Sequence, residues 1–508
     1  MPFTSRRLRA ALLAAAASAT LVAATLPPPE PLGIGDPLFP YLGNPGYDVT
    51  AYDLAFTYSG DNTKPLDAVT KIDALTTERL ERVNLDLTQG TVSSVEVNGA
   101  PARFVTAGED LVVTPRGAID EGARMRITVH HTSETDGKDG GWLRTTDGLA
   151  MANQADAARR VFPSNDHPAD KAYFTFRITT PARLTAVANG LPVAKTRHGG
   201  TVIWTYRTHH PMATELAQVS IGDSAVVHRE GPHGLPVRDV VPAADREKLE
   251  RWLAKTPAHL RWMEREVGPY PFETYGMLIA GADTGFELET QTLTLFERSL
   301  FTRPEYPEWY VDSIMVHELA HHWFGNSVSP RAWSDLWLNE GHATWYEARY
   351  AEEHAKKALE TRMRNAYRNS DRWRAAGGPP ASPEPPTPGE PISLFRPVVY
   401  DGSALVLYAL RQRIGNDAFQ RLERDWVRIH RDGTATTADF TSLASRISGR
   451  DLSGFFKEWL YGRTTPPMPG HPDWRTDPPV ERDPARDARH RPGAVAVPPG
   501  VARSRDGA

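Results

Sequence analysis

The sequence of 508 residues contains no cysteine. This absence excludes disulfide bonds, cysteine-ligated zinc, thiol catalysis and a lipidated N-terminal cysteine, so any metal must be held by His, Asp or Glu. A basic excess is also missing. The formal net charge is -5, which argues against a nucleic-acid partner. No apolar run is long enough for a comfortable membrane span, so we expect no stable membrane association.

The N-terminus has the pattern of an export signal. Three arginines within the first nine residues precede an apolar run at 10–24, in which small residues allow cleavage after Ala19 or Ala24. We therefore predict a secreted protein with a signal peptide at 1–24, followed by a Pro/Gly-rich linker at 25–44. The pattern leaves the export route open.

The other end of the chain has few residues that could form a core. Segment 465–508 is rich in proline, arginine and aspartate, and only Trp474 and a few small apolar residues interrupt it. Such a composition cannot bury enough surface to offset chain entropy. The sequence predicts a disordered tail at 465–508.

Between these ends, the hydrophobic period changes once. Up to about residue 230 the chain shows short alternating segments, with an Asn98-Gly99 hairpin turn, as in an antiparallel β-sandwich. From about residue 245 the apolar residues recur at helical spacing, and Pro257 kinks or splits the first helix. The fold class is therefore multidomain α+β, with a β-sandwich-like domain at 45–235 and a mainly α-helical domain at 236–464.

Segment 316–322 contains the pattern H-E-x-x-H. On a helix, His317 and His321 lie on one face, one turn apart, so that both imidazoles can bind one metal ion. Glu318 points off that axis and can reach a metal-activated water instead. This arrangement is a metalloprotease signature.

A second motif supplies the third ligand. Segment 334–341, S-D-L-W-L-N-E-G, opens the next predicted helix and contains Glu340. Two histidines and a carboxylate leave one coordination position for water, as in catalytic zinc sites. His322 competes as a ligand, but its position around the helix favours a supporting or solvent-facing place. We predict one zinc ion per chain, held by His317, His321 and Glu340.

These motifs resemble those of a known family. H-E-L-A-H-H-W-F-G-N at 317–326 and W-L-N-E-G at 337–341 are similar to the aminopeptidase N-like zinc metallopeptidases, the gluzincin group that includes leukotriene hydrolase. The similarity extends from about residue 46 to 460, and secreted actinobacterial members look closest. It implies that the helical domain is a thermolysin-like catalytic domain.

The resemblance also implies substrate-binding residues. G-F-E-L-E-T-Q-T at 285–292 resembles the exopeptidase motif G-x-M-E-N, and Glu289 matches the glutamate that binds the substrate's free α-amine. Phe286, Leu288 and Thr290 depart from that motif. Glu287 is a rival for the same role, because residues two apart on an extended strand face the same side.

Further positions carry over by the same resemblance. Tyr400, in V-Y-D-G-S-A at 399–404, matches the tyrosine that stabilises the transition state, and Gln154 matches a residue that binds the substrate amine. Asp335 is a candidate for supporting the metal ligands through a hydrogen bond. His342 stands where family members usually have phenylalanine.

Together these residues predict a secreted zinc aminopeptidase whose substrates are peptides. A zinc-activated water would attack the first peptide bond, with Glu318 as general base and Tyr400 as hydrogen-bond donor to the oxyanion. Two alternatives remain: a zinc hydrolase of a non-peptide substrate such as an epoxide, and a non-catalytic binding protein on the same fold. The sequence does not determine the oligomeric state.

Overall fold

The computed structural model describes residues 27–137, 140–282 and 284–478. The predicted signal peptide and most of the predicted tail lie outside these residues. No helix in the described ranges is long and apolar enough to cross a membrane.

The N-terminal domain is built from β-strands whose side chains alternate between buried and exposed, most regularly in the longest ones. Its strands are β1 (Tyr47–Thr57), β2 (Leu66–Thr76), β3 (Val83–Asp86), β4 (Val92–Val97), β5 (Ala100–Pro101), β6 (Arg103–Ala107), β7 (Asp110–Thr114), β8 (Arg124–Ser133), β9 (Gly141–Arg144), β10 (Leu149–Ala152), β11 (Tyr173–Pro181), β12 (Thr185–Ala188), β13 (Leu191–His198), β14 (Thr201–Arg207) and β15 (Val219–Gly222).

These strands form an eight-stranded sheet in the order β13-β14-β11-β1-β2-β8-β4-β5, a four-stranded sheet β12-β15-β10-β9 and a three-stranded sheet β3-β7-β6. Buried side chains from all three sheets share one hydrophobic core, which confirms the predicted β domain. Pairing is antiparallel except between β1 and β11, which run parallel. At the predicted hairpin turn, Asn98 and Gly99 both have positive φ and join β4 to β5.

The second domain is mainly helical, as predicted. Its helices are α1 (Arg246–Leu253), α2 (Thr256–Val267), α3 (Arg298–Thr302), α4 (Glu308–Ala320), α5 (Trp337–Ala355), α6 (Leu359–Gly377), α7 (Asp401–Ile414), α8 (Asn416–Ile429), α9 (Thr437–Ser448) and α10 (Ser453–Tyr461). Its strands are β16 (Ser224–Glu230), β17 (Pro236–Pro242), β18 (Met277–Ala280) and β19 (Thr294–Glu297), which form one sheet, and the short pair β20 (Ser329–Pro330) and β21 (Thr434–Ala435). Nearly every side chain of α4 from Tyr310 onward is buried, so this helix runs through the core and gives its last turn a fixed position.

The predicted domain boundary at 235 was wrong. It separates β16 from β17, which pair as an antiparallel hairpin along their whole length. β17 then pairs with β18 of the helical domain. The structure therefore places the boundary before Ser224, because the hairpin belongs to the sheet of the second domain.

The predicted linker at 25–44 is also partly structured. Leu38, Phe39 and Leu42 are buried in a small cluster with residues of the helical domain. Asp36 accepts a hydrogen bond from the backbone N–H of Trp333 (2.8 Å) and lies 3.1 Å from His167 Nε2. This segment therefore packs at the junction of the two domains.

The tail prediction was wrong for its first part. Trp474 is 4% exposed and stacks on Tyr408 and His471. The backbone N–H of Thr465 donates to Asp371 (2.6 Å). Residues 465–478 are therefore packed against α6 and α7, because Trp474 finds an aromatic surface that their own sequence does not reveal. Residues 479–508 lie outside the described ranges.

Candidate metal centre and active-site cleft

Two helices bring the predicted metal ligands together. His317 lies in the last turn of α4, His321 directly follows that helix, and Glu340 lies in the first turn of α5. The two Nε2 atoms are 3.2 Å apart, and Glu340 Oε2 lies 3.4 Å from each of them. All three side chains are buried. The H-E-x-x-H spacing and the later glutamate thus form one triad of converging ligand atoms.

The hydrogen bonds around the triad fit a metal ion. Nδ1 of His317 lies 3.2 Å from Glu347 Oε2, and Nδ1 of His321 lies 3.2 Å from the carbonyl oxygen of Phe324. Because both partners are acceptors, each Nδ1 carries the hydrogen, and each neutral ring turns the Nε2 lone pair inward. Glu340 Oε2 is buried and accepts no hydrogen bond. Three electron-rich atoms that face one another need a cation between them.

The size of the triad fits zinc. In the plane of the three atoms, the point equidistant from them lies about 1.9 Å from each, close to the roughly 2.0–2.1 Å of a zinc–nitrogen bond. Burial alone would raise the pKa of Glu340, but positive charge on His321 and His317 outweighs it and lowers the pKa. A zinc ion between neutral rings would hold this carboxylate ionised in the same way. The residues present therefore form a zinc site with the predicted ligands.

Glu318 lies beside the triad with the properties of a proton acceptor. It is buried, and its Oε2 has no hydrogen-bond partner. Burial raises the pKa of Glu318 to about 8. A divalent cation at the triad would lower this pKa toward neutrality, where a general base works best. Its catalytic role stays a prediction.

Two glycines in the metal-binding motifs stand where the packing leaves no room for a side chain. Gly325 adopts a φ of 128°, and a Cβ there would lie 3.2 Å from the amide of Asn339. A Cβ on Gly341 would lie 2.7 Å from Cβ of Ser403, so only glycine lets α5 approach α7 closely behind Glu340. After Gly325, Asn326 donates from Nδ2 to the carbonyl oxygen of Glu289 (2.6 Å). The segment that follows the metal ligands therefore also holds the backbone at Glu289 in place.

The predicted amine-binding residues meet across the domain interface. Gln154, which follows β10, donates from Nε2 to Glu289 Oε1 over 2.7 Å. A carboxylate oxygen of Glu289 lies within 4.8 Å of ligand atoms of both Glu318 and His321. The Gln154–Glu289 pair thus places a buried carboxylate next to the triad.

Tyr400 and Glu287 line the same cleft. Tyr400 immediately precedes α7, and its ring centre is 6.1 Å from that of His317. The cleft encloses about 460 Å³ of space open to solvent, and its lining residues are Gln154, Phe286, Glu287, Leu288, Glu289, His317, Glu318, His321, Glu340, Ile392, Phe395 and Tyr400. All predicted site residues therefore face one cleft, as does the rival Glu287. The substrate roles of Tyr400, Glu289 and Gln154 stay predictions.

One group of residues was missed by the sequence reasoning. Arg362 donates to both oxygens of Glu347 (2.6 and 3.2 Å) and to Oδ1 of Asp401 (2.8 Å). Glu347 in turn accepts from His317, and Asp401 directly follows Tyr400. We call Glu347, Arg362 and Asp401 the clamp. Its one sequence signal was the spacing of Glu347, which lies seven residues, or two helical turns, after Glu340.

The structure also gives the places of His322 and Asp335. His322 is fully buried, between Tyr270 Oη (2.7 Å from Nδ1) and Thr294 Oγ1 (3.0 Å from Nε2), and does not face solvent. Asp335 accepts from the backbone and the hydroxyl of Thr437 (2.9 and 2.7 Å). The prediction that Asp335 supports the metal ligands was wrong, because it links α9 to the turn before α5, and Glu347 is the carboxylate that supports His317.

His342, the residue that departs from the family pattern, belongs to the core. Its ring stacks on Phe324 with centroids 4.3 Å apart, and its Nδ1 lies 2.6 Å from the carbonyl oxygen of Leu338. Its Nε2 lies 3.3 Å from Glu423, a buried residue of α8. His342 therefore packs behind the loop that follows His321 and does not line the cleft.

Family models match both domains. The model described as "Peptidase M1 N-terminal domain" matches residues 48–216, and the model described as "Peptidase family M1 domain" matches residues 253–459. The second range contains the triad, Glu318, Glu289 and Tyr400, and the first contains Gln154.

Individual proteins are similar to this chain over most of its length. Aminopeptidase 2 of Candida albicans is 24% identical over 447 residues, which are 81% of this chain and 46% of that protein. Aminopeptidase M1 of Arabidopsis thaliana is 27% identical over 315 residues, which are 59% of this chain and 35% of that protein. The chain thus spans about a third to a half of the length of the curated relatives it matches.

Solved structures match over their whole length. The M1 zinc metallopeptidase from Deinococcus radiodurans has a TM-score of 0.74 and 27% identity, and the match covers 89% of this chain and 100% of that one. A glutamate-to-alanine mutant of that protein, bound to a Tyr-Ser-Ala substrate, matches equally well, with 87% of this chain and 100% of that chain covered.

Proposed function

We propose that this chain, which belongs to the M1 peptidase family, is a zinc-dependent aminopeptidase that removes single residues from the free N-termini of peptides. The observation that carries the proposal is the hydrogen-bonded pair of half-buried Gln154 and buried Glu289 beside the metal triad. A carboxylate at that place makes physical sense if a substrate ammonium neutralises it, because an unpaired buried charge is costly. Anchoring the ammonium there fixes which peptide bond reaches the triad.

Each residue of the cleft has a distinct part in this reaction. A bound zinc ion supplies Lewis-acid chemistry, polarising a carbonyl and acidifying water. Glu318 takes the proton of the attacking water and passes it to the leaving amine. Tyr400 donates a hydrogen bond to the developing oxyanion. Glu289 binds the substrate ammonium, and the amide oxygen of Gln154 accepts another of its hydrogens.

The test compares one peptide with a free N-terminus and the same peptide after N-acetylation. We expect the acetylated peptide to be cut far more slowly, because a neutral terminus leaves Glu289 without a partner. With a free peptide whose second residue is uncharged, Glu289→Gln should lower kcat/KM much more than the matched variant Glu287→Gln, and a chelator should abolish turnover. Equally fast cleavage of internal bonds in the acetylated peptide would make the protein an endopeptidase. Hydrolysis of an epoxide but of no peptide would favour the non-peptide alternative, and zinc binding without turnover of either would favour a binding protein.

We also propose that the protein is exported, as secreted actinobacterial members of the family are. Support comes from the arginine-rich start and the apolar run at 10–24. Expression of the full chain followed by N-terminal sequencing of the protein in the medium tests this proposal. Retention of the intact N-terminus inside the cell would contradict it.

A further inference from the structure

Glu287 is a carboxylate in the cleft that the proposed reaction does not use. Leu288 forms a β-bridge with Leu295 through two backbone hydrogen bonds (2.9 and 2.8 Å), so the backbone is extended here. The side chain of Leu288 is buried in the core of the N-terminal domain. Its neighbours Glu287 and Glu289 therefore point to the opposite side, and both line the cleft.

The two carboxylates lie at different ends of the metal triad. Residues two apart on an extended strand are separated by about 7 Å. Glu289 lies close to His321. The charge of Glu287 acts on Glu318, Glu297 and His317, and it also acts on Tyr310, which lies about three turns before His321 along α4. Because Tyr310 and His317 both precede His321 along the chain, Glu287 lies toward the His317 end of the cleft.

This order assigns Glu287 a place along the substrate. With the ammonium at Glu289 and the first carbonyl at the triad, the residue after the scissile bond lies beyond the triad, toward His317. An extended peptide advances by about 3.3 Å per residue, so its second side chain comes within reach of Glu287.

The charges in the cleft leave Glu287 without a counter-ion. The lining includes four carboxylates, those of Glu287, Glu289, Glu318 and Glu340. A divalent zinc ion would balance two of them, and a substrate ammonium would balance Glu289. Burial and the charges of Glu318 and Glu297 raise the pKa of Glu287 well above its usual range, so its ionised form is costly unless a cation lies beside it. A second cation would complete the charge balance.

We propose that Glu287 is a specificity-determining residue that binds the cationic side chain of a lysine or arginine immediately after the scissile bond. The inference rests on the proposed aminopeptidase function, because it takes the position of the substrate from the Glu289 anchor. It predicts a preference for peptides whose second residue is basic.

The experiment uses three tripeptides with free N-termini: Ala-Lys-Ala, Ala-norleucine-Ala and Lys-Ala-Ala. Norleucine keeps the apolar stem of lysine without its charge. We expect the zinc-loaded wild type to prefer Ala-Lys-Ala over Ala-norleucine-Ala by about tenfold in kcat/KM, which corresponds to about 1.4 kcal/mol. Glu287→Gln should bring that ratio close to one. Glu308→Gln is the matched control, since it removes an exposed carboxylate from the start of α4 and should keep the wild-type ratio.

A second readout does not depend on turnover. In a zinc-loaded Glu318→Gln background, calorimetry gives the Kd of the same three peptides with and without Glu287→Gln. If no free peptide is cut, the proposed function fails, and the ratio of Kd values still decides the role of Glu287. Equal affinity for the lysine and norleucine peptides would overturn the inference. So would a preference for Lys-Ala-Ala that Glu287→Gln removes, because Glu287 would then serve the first residue.

Discussion

Replacing Arg362 with methionine should impair both the metal site and the chemical step. Arg362 holds Glu347, which orients His317, and Asp401, which follows Tyr400. Its loss frees the ring of His317 and the start of α7 together. Groups that orient metal ligands are typically worth about 10–100-fold in metal affinity or activity, and we expect losses of that size in zinc affinity and in kcat. KM for a free peptide should change little, because Glu289 and Gln154 lie outside the clamp.

The stability effect of the same change follows from Glu347. Burial raises the pKa of Glu347, but Arg362 and His317 outweigh it and hold the pKa at about 2, against 4.5 for a free side chain. A folded-state pKa below the unfolded value stabilises the protein above about pH 4.5, and this contribution disappears as pH falls toward 2. The shift corresponds to about 3 kcal/mol of unfolding free energy at neutral pH. This value is an upper limit for the stability that Arg362→Met removes, because His317 also lowers the pKa of Glu347.

The assays are zinc titration, steady-state kinetics and urea denaturation at pH 7 and pH 4. The difference in unfolding free energy between wild type and Arg362→Met should shrink at the lower pH. Arg364→Met is the matched control on the same helix, because its ion pairs with Glu360 and Asp473 are exposed and such pairs are worth about 0–1 kcal/mol. Zinc affinity and kcat of Arg362→Met within twofold or so of wild type would refute the positioning role of the clamp.

Three further outcomes are expected. Glu318→Gln should keep its zinc, as measured by elemental analysis, yet lose roughly 10²–10⁴-fold in kcat, and a zinc-loaded variant with normal kcat would refute the general base. Burial lowers the pKa of His259 to about 3, so below pH 6.5 the unfolded chain takes up a proton that the folded protein refuses, and stability falls as pH falls. In urea titrations between pH 6 and 4, the unfolding free energy of wild type should therefore fall more steeply with pH than that of His259→Phe. The two slopes should differ by up to about 1.4 kcal/mol per pH unit, and equal slopes would contradict this. Deleting 479–508 should leave Tm nearly unchanged. Deleting 465–508 should lower Tm by several degrees, because it removes Trp474 from its aromatic stack. Equal Tm values for both truncations would disprove that packing.

The zinc ligands were predictable because their geometry is mostly local. His321 follows His317 by four positions, about one helical turn, and helical periodicity alone puts them on one face. Alternating burial along strands such as β1 and β2 is equally local, which is why the order of a β domain and a helical domain could be predicted. Glu289, Tyr400 and Gln154 came from a family resemblance, and it was the folded chain that brought them into one cleft with the triad.

The clamp could not have been predicted in the same way. Arg362 and Asp401 are 39 residues apart, and nothing in the sequence around either residue distinguishes their ion pair from an exposed one. The same holds for Asp335, whose partner Thr437 lies 102 residues away, and for the pairing of Gln154 with Glu289 across 135 residues. Such partners depend on how α5, α6, α7 and the two domains pack.

The sequence by itself determined the fold class, the two metal-binding motifs and the residue types available for chemistry, because backbone periodicity and ligand spacing act over a few residues. Tertiary structure alone decided where the domains divide, that residues 36–42 and 465–478 are packed, and which carboxylate supports His317. It also decided that Glu287 shares the cleft with Glu289. The physical reason is that burial and charge pairing depend on distances between segments far apart in the chain, which form only when the hydrophobic cores of both domains are complete.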